Sequence, residues 1–213
     1  MTLHARQHQG ALAGSEATLE TLFERLDVRL DAFAMCEIEN SCSMQCDPLD
    51  MLVVHFVLRG EGSIDCEHGS FHIRPGTMIV VPKKLAKRIN GAGPVLTVVE
   101  AKEACPLTEG MVRFRACEQK ADLILGCGSV TAVVGEGFGL FDHLQQPLVE
   151  EAKGELLPLL FNAILGELTH PGPGTKTIVE SMMKQILVLL VRDHLQRRGL
   201  ASPLFMPLYM PLS

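Results

Sequence analysis

Apolar residues change their spacing twice along this chain. Leu19, Leu22, Phe23 and Leu26 recur three and four apart, which predicts a helix over 18–26 with Thr18 placed to cap it. From 28 to 38 the period drops to two: Val28, Leu30, Ala32 and Ala34 alternate with Arg29, Asp31, Phe33 and Met35, as in a strand. The segment 39–50, polar and rich in Cys, Ser and Pro, predicts a loop. A buried strand over 51–59 follows, then a Gly-Glu-Gly turn at 60–62 and a hairpin formed by 63–67 and 70–73 around His68-Gly69. Pro75-Gly76 turns the chain into a β-branched strand, Thr77–Val81, and VLTVVEA at 95–101 predicts another.

In the last third the period lengthens again. Leu156, Leu159, Leu160, Ala163, Ile164 and Leu168 mark one face of a helix over 155–168, which Pro171-Gly172-Pro173-Gly174 ends. Thr175 caps a second helix, Thr175–Arg198, carrying a long stripe that includes Met182, Met183, Ile186, Leu187 and Leu190, and Gly199 stops it. Two readings of this stripe stand: it packs on the strands, or it is a dimerisation face. The expected fold class is mainly β with an α annex, a barrel followed by a C-terminal helix pair. The expected division is an N-terminal extension at 1–16, a β-barrel effector domain at 17–120, a helical dimerisation region at 121–200 and a tail at 201–213.

Composition narrows the function. Of 213 residues, 47% are hydrophobic and 21% charged, enough to order a core. No Trp and a single Tyr argue against stacking platforms for sugars or single-stranded nucleic acid. A net charge of −6 with scattered basic residues gives a phosphate backbone little to hold. The longest apolar run, 186–191, is far too short to span a bilayer, and 1–14 lacks the pattern of a signal peptide. A soluble, cytoplasmic protein without membrane contact is expected, with its seven cysteines reduced.

Candidate chemistry is sparse. Cys36, Cys42 and Cys46, with Cys66 further on, suit a soft-metal site, a redox pair or buried small hydrophobes; the spacing lacks the short knuckle of a zinc site. Cys117 and Cys127 read as core where barrel gives way to helices. Gly135-Glu136-Gly137-Phe138-Gly139 lacks the Lys-Ser/Thr of a phosphate loop and reads as a turn. No nucleophile elbow is present. Lys83, Lys84, Lys87 and Arg88 read as a solvated basic loop.

The runs His55-Phe-Val-Leu-Arg-Gly-Glu-Gly62 and Arg74-Pro-Gly-Thr-Met-Ile-Val-Val-Pro82 resemble the cupin barrel, more specifically the N-terminal sensor domain of AraC-type transcription regulators. Gly139-Leu-Phe-Asp-His-Leu144, the Pro-Gly-Pro-Gly run and the helix from Lys184 resemble segments that follow the barrel there. The resemblance implies a double-stranded β-helix that binds a small-molecule effector, a homodimer, and DNA contact only through a helix-turn-helix domain. Where the family carries the entry to that domain, this chain reads PLFMPLYMPLS over 203–213.

Registered on the metal-binding cupins, Asp47, Leu49, Val53 and Lys87 fall where His, His, Glu and His belong. That set does not suit a divalent cation, and a lysine repels one. No catalytic residue and no cofactor are therefore expected, the alternative being a soft or transition metal on the cysteines. The same registration turns Val53 inward, and His55, two residues on, shares its face with Met51 and Val57. His55 is then either a buried neutral histidine bonded to the backbone or the polar anchor of a ligand in an apolar pocket. The rival classes are an atypical cupin enzyme and a thiol-based sensor.

Overall fold

The computed structural model describes residues 19–103, 107–108, 111–116, 120–135 and 138–198. A short helix over 19–24 (α1) leads into β1 (Leu26–Ile38), β2 (Cys42–Cys46), β3 (Leu52–Arg59), β4 (Gly62–Cys66), β5 (Gly69–Ile73), β6 (Thr77–Val81), β7 (Lys87–Gly91) and β8 (Thr97–Glu100). The chain continues through β9 (Leu107–Thr108), β10 (Met111–Ala116), β11 (Leu123–Val134), β12 (Phe138–Gly139), β13 (Leu148–Glu151), α2 (Leu156–Thr169) and α3 (Thr175–Arg198).

The strands form two sheets. One runs β13-β6-β3-β11-β1-β10-β9 with β12 on β11; the other runs β5-β4-β7-β2-β8. Alternation assigns each side chain to one of two cores. Cys36, Val53, Val57, Ile79 and Leu125 of the larger sheet meet Met44, Ile64 and Ile89 of the smaller one inside the sandwich. The opposite parity, Met35, Val54, Phe56, Met78 and Val80, faces the helices. On that side the rings of Phe56 and Phe161 stack at 4.2 Å between centroids and 4° between planes.

Gly60 explains the turn after β3. Its φ is +80°, and a Cβ there would collide with the Asp122 carbonyl, so only glycine fits between β3 and the start of β11. Thr175 accepts a hydrogen bond from the Gly172 amide (2.8 Å) and donates one to Glu167 Oε1 (2.7 Å), which fixes the start of α3. At its other end, buried Glu150 of β13 bonds His194 (2.7 Å) and pairs with Arg197.

Several expectations are corrected. The predicted loop at 39–50 contains β2, because Cys42, Met44 and Cys46 alternate inward against Ser43 and Gln45. The predicted basic loop contains β7, and Lys87 is only 4% exposed. The barrel does not end at 120: β11 is a central strand and β13 an edge strand of the larger sheet, so the helical part begins at Leu156. Cys127 therefore lies in mid-sheet rather than at a handover.

The dimer stripe is also reassigned. Met183, Ile186, Leu187 and Leu190 are 0–1% exposed within a single chain, and Met182 is half-buried beside them. Packing on the sheet takes this face, so Met183, Ile186, Leu187 and Leu190 offer no surface to a second copy. Leu187→Ala is expected to lower unfolding stability by about 2–5 kcal/mol in urea titrations, the cost of a core cavity. Its oligomeric state by light scattering should match the wild type; dissociation of a dimer at unchanged unfolding stability would restore the interface reading.

Candidate functional site: the interior of the sandwich

His55 sits on β3, between β6 and β11, opposite Ile79 on one side and Cys127 on the other. It is 2% exposed, and its parity points it into the sandwich between Val53 and Val57. The sequence placed these three side chains on one inner face, and the structure puts them there. Met51, named with them, lies just before β3 and is half-buried.

Two thiols reach the same place. Cys127 Sγ is 3.0 Å from His55 Nδ1, and Cys36 Sγ, from β1, is 2.7 Å from Cys127 Sγ. Burial, then the neighbouring Cys36, holds the Cys127 thiol well above its ordinary value of 9.0, so it remains an S–H donor at neutral pH. Burial, then the positive charge of Lys87, holds the His55 imidazole well below 6.5, so it is neutral. In the tautomer in which this thiol donates to Nδ1, the ring proton sits on Nε2. That Nε2 is buried and has no hydrogen-bond partner among the described residues.

Two further polar groups share the interior. Ser129, opposite Val53 on β11, has the inward parity of Cys127, and its buried Oγ has no hydrogen-bond partner among the described residues. Lys87 enters from the other sheet, opposite Cys46 of β2. Its charge acts on His55 and Cys127 of the larger sheet and on Cys46 beside it in the smaller one. No signal in one sequence singles out Ser129. The inward parity of Lys87 was readable once Ile89 was recognised as core.

The four cysteines named as a metal or redox set separate. Cys36 joins Cys127 rather than its neighbours in sequence. Cys42 is disulfide-bonded, which corrects the expectation of reduced thiols at that position. Cys46 is half-buried and free, with burial pushing its thiol up to about 11 against the opposing effect of Lys87. Cys66 is free at the end of β4. Among the described residues no group of three or more His, Cys, Asp or Glu is placed to hold a metal ion.

The fold is thus two β layers whose inner face carries a buried histidine and a buried lysine. The model for the cupin family matches residues 17–196, and the chain belongs to that family. No curated protein matches its sequence. Among solved structures the chain is similar to apo ToxT from Vibrio cholerae, at 8% identity and TM-score 0.39, covering 81% of this chain and 55% of that one. It is similar to ToxT with unsaturated fatty acid bound, at 10% identity and TM-score 0.34, covering 82% and 55%. It is also similar to the AraC-like transcriptional activator CuxR, at 12% identity and TM-score 0.37, covering 68% and 43%. The chain thus spans about half the length of these proteins or less.

The depressed basicity of His55 carries a stability signature. The unfolded chain takes up a proton near pH 6.5 that folded His55 refuses, so His55 favours folding fully above that pH and progressively less below it. Between pH 7.5 and 5.5 the wild type should lose about 1 kcal/mol more unfolding free energy than His55→Phe, measured by urea titration at both pH values. Parallel losses in the two proteins would contradict a neutral buried His55.

Proposed function

We propose that this chain is the effector-sensing domain of an AraC-type transcription regulator, holding a small molecule inside a cupin barrel without a catalytic metal or cofactor. The observation that carries the reading is a buried imidazole nitrogen with no partner among the described residues, inside the sandwich. An unsatisfied buried donor costs roughly 1–3 kcal/mol, and a ligand acceptor removes that cost. The motifs at 55–62 and 74–82 support the regulator reading over the enzyme reading.

The response would be a population shift. β3 pairs with β6, β6 with β13, and β13 holds the end of α3 through Glu150, His194 and Arg197. A ligand that draws on His55 then biases where α3 delivers the following residues, and with them a DNA-binding helix-turn-helix domain. No helix among the described residues is long and apolar enough to cross a membrane, in keeping with a cytoplasmic regulator. Dimerisation would use surfaces other than the buried face of α3.

A thiol-based sensor is the second reading, favoured by the 2.7 Å approach of Cys36 to Cys127 and by the disulfide at Cys42, a bond uncommon in a reducing cytosol. Peroxide would take two electrons and two protons from the Cys36–Cys127 thiols, forming one S–S bond and two waters. One experiment separates the readings: a thermal-shift screen of small organic acids, sugars and alcohols, alongside intact mass after mild peroxide. Effector sensing predicts a hit whose stabilisation is lost in His55→Phe and a mass unchanged by peroxide. A mass loss of about 2 Da, absent in Cys36→Ser, with no His55-dependent hit, would transfer the sensing role to the thiols.

A further inference from the structure

Lys87 is the least expected residue in the interior. It lies on the inner parity of β7 between core positions, is 4% exposed, and forms neither an ion pair nor a side-chain hydrogen bond with any described residue. Burying an ammonium without a counterion costs several kcal/mol, so such groups are ordinarily paired. Its neighbour across the strand pair, Cys46, does not neutralise it: with a thiol pushed up to about 11, Cys46 stays protonated at neutral pH. Asp47 lies next to Cys46 in sequence but pairs with Lys102, at 3.9 Å.

The groups facing the same interior are also donors. With Cys127 donating to Nδ1, His55 presents Nε2–H, and Ser129 presents a buried hydroxyl; neither has a partner among the described residues. Three donors, one of them cationic, with no acceptor assigned to them call for one kind of guest. Resting on the sensing reading above, we propose that the effector is an organic carboxylate: its head is held by Lys87, His55 Nε2 and Ser129 Oγ, and its apolar body lies against Val53, Val57 and Ile79. A charged donor–carboxylate bond is among the stronger ones available to a ligand.

The test uses the full chain and matched probe pairs, octanoate with octan-1-ol and benzoate with benzyl alcohol, in calorimetry and thermal melts. At least one carboxylate should raise the melting temperature by about 3 °C at tenfold excess over its Kd, and its matched alcohol should not. Lys87→Met should weaken that carboxylate at least tenfold while the ligand-free variant melts no lower than the wild type. Lys87→Gln serves as the second variant should the first fail to fold. If the alcohols bind as well as the acids, or the lysine variants bind carboxylate like the wild type, the carboxylate assignment fails and the sensing reading stands. If a neutral compound binds through His55 and no carboxylate does, the outcome is the same. Binding of no probe at all would overturn the carboxylate assignment, and an empty His55-dependent screen beside it would remove the sensing reading too.

Discussion

A sheet that is apolar on both faces must be covered on both, and that constraint organises this molecule. In β3 every residue from Leu52 to Val57 is buried, so neither parity can face water. One parity meets the smaller sheet and the other meets α2 and α3, which makes the helix pair a structural layer rather than an appendage. A Cβ at Gly126 of β11 would press on the Phe33 ring of β1, and one at Gly128 on Leu30 of β1, with the Met183 methyl of α3 at ordinary contact distance. The stripe on α3 is long because it spans a sheet.

Within the inner layer, satisfied and unsatisfied polar groups are arranged in order. Cys36, Cys127 and His55 form a chain of contacts across β1, β11 and β3, with a protonated thiol at its centre that occupies Nδ1 and leaves Nε2 facing onward. Lys87 approaches from the opposite sheet and helps to keep that imidazole neutral. The contrast with the smaller sheet's outer face is informative. There Ser43, Asn90, Ser63 and Asp65 bond one another at 2.6–3.1 Å, a network of donors matched with acceptors. On the inner face His55 Nε2 and Ser129 Oγ have no hydrogen-bond partner among the described residues.

Much of this was legible in the chain. Period-two alternation and Gly/Pro turns located β1, β3, β6 and the β4–β5 hairpin, and three-and-four spacing located both long helices. β2 was hidden because Cys-Ser-Met-Gln-Cys has the right alternation but few residues of strong β propensity. β7 was hidden because its two leading residues are basic, and charge argued for solvent more strongly than Ile89 argued for core. The His55 face followed from parity once the cupin registration turned Val53 inward. The approach of Cys36 to Cys127 could not, because it depends on β11 pairing with β1 about ninety residues earlier in the chain. Helical spacing finds an apolar face but not its partner, which is why α3 could be read as a dimer seam.

The central claim is that Cys127 sets the state of His55 so that its outer nitrogen is a donor facing the interior. The ring nitrogens of His55, assigned by 15N-resolved NMR of the ligand-free protein at pH 7, report this directly. The account predicts a neutral ring protonated on Nε2 with a bare Nδ1, and a change of that pattern in Cys127→Ala. A ring protonated on Nδ1, or an imidazolium at pH 7, would contradict it and remove the ordered donor on which the proposed recognition rests.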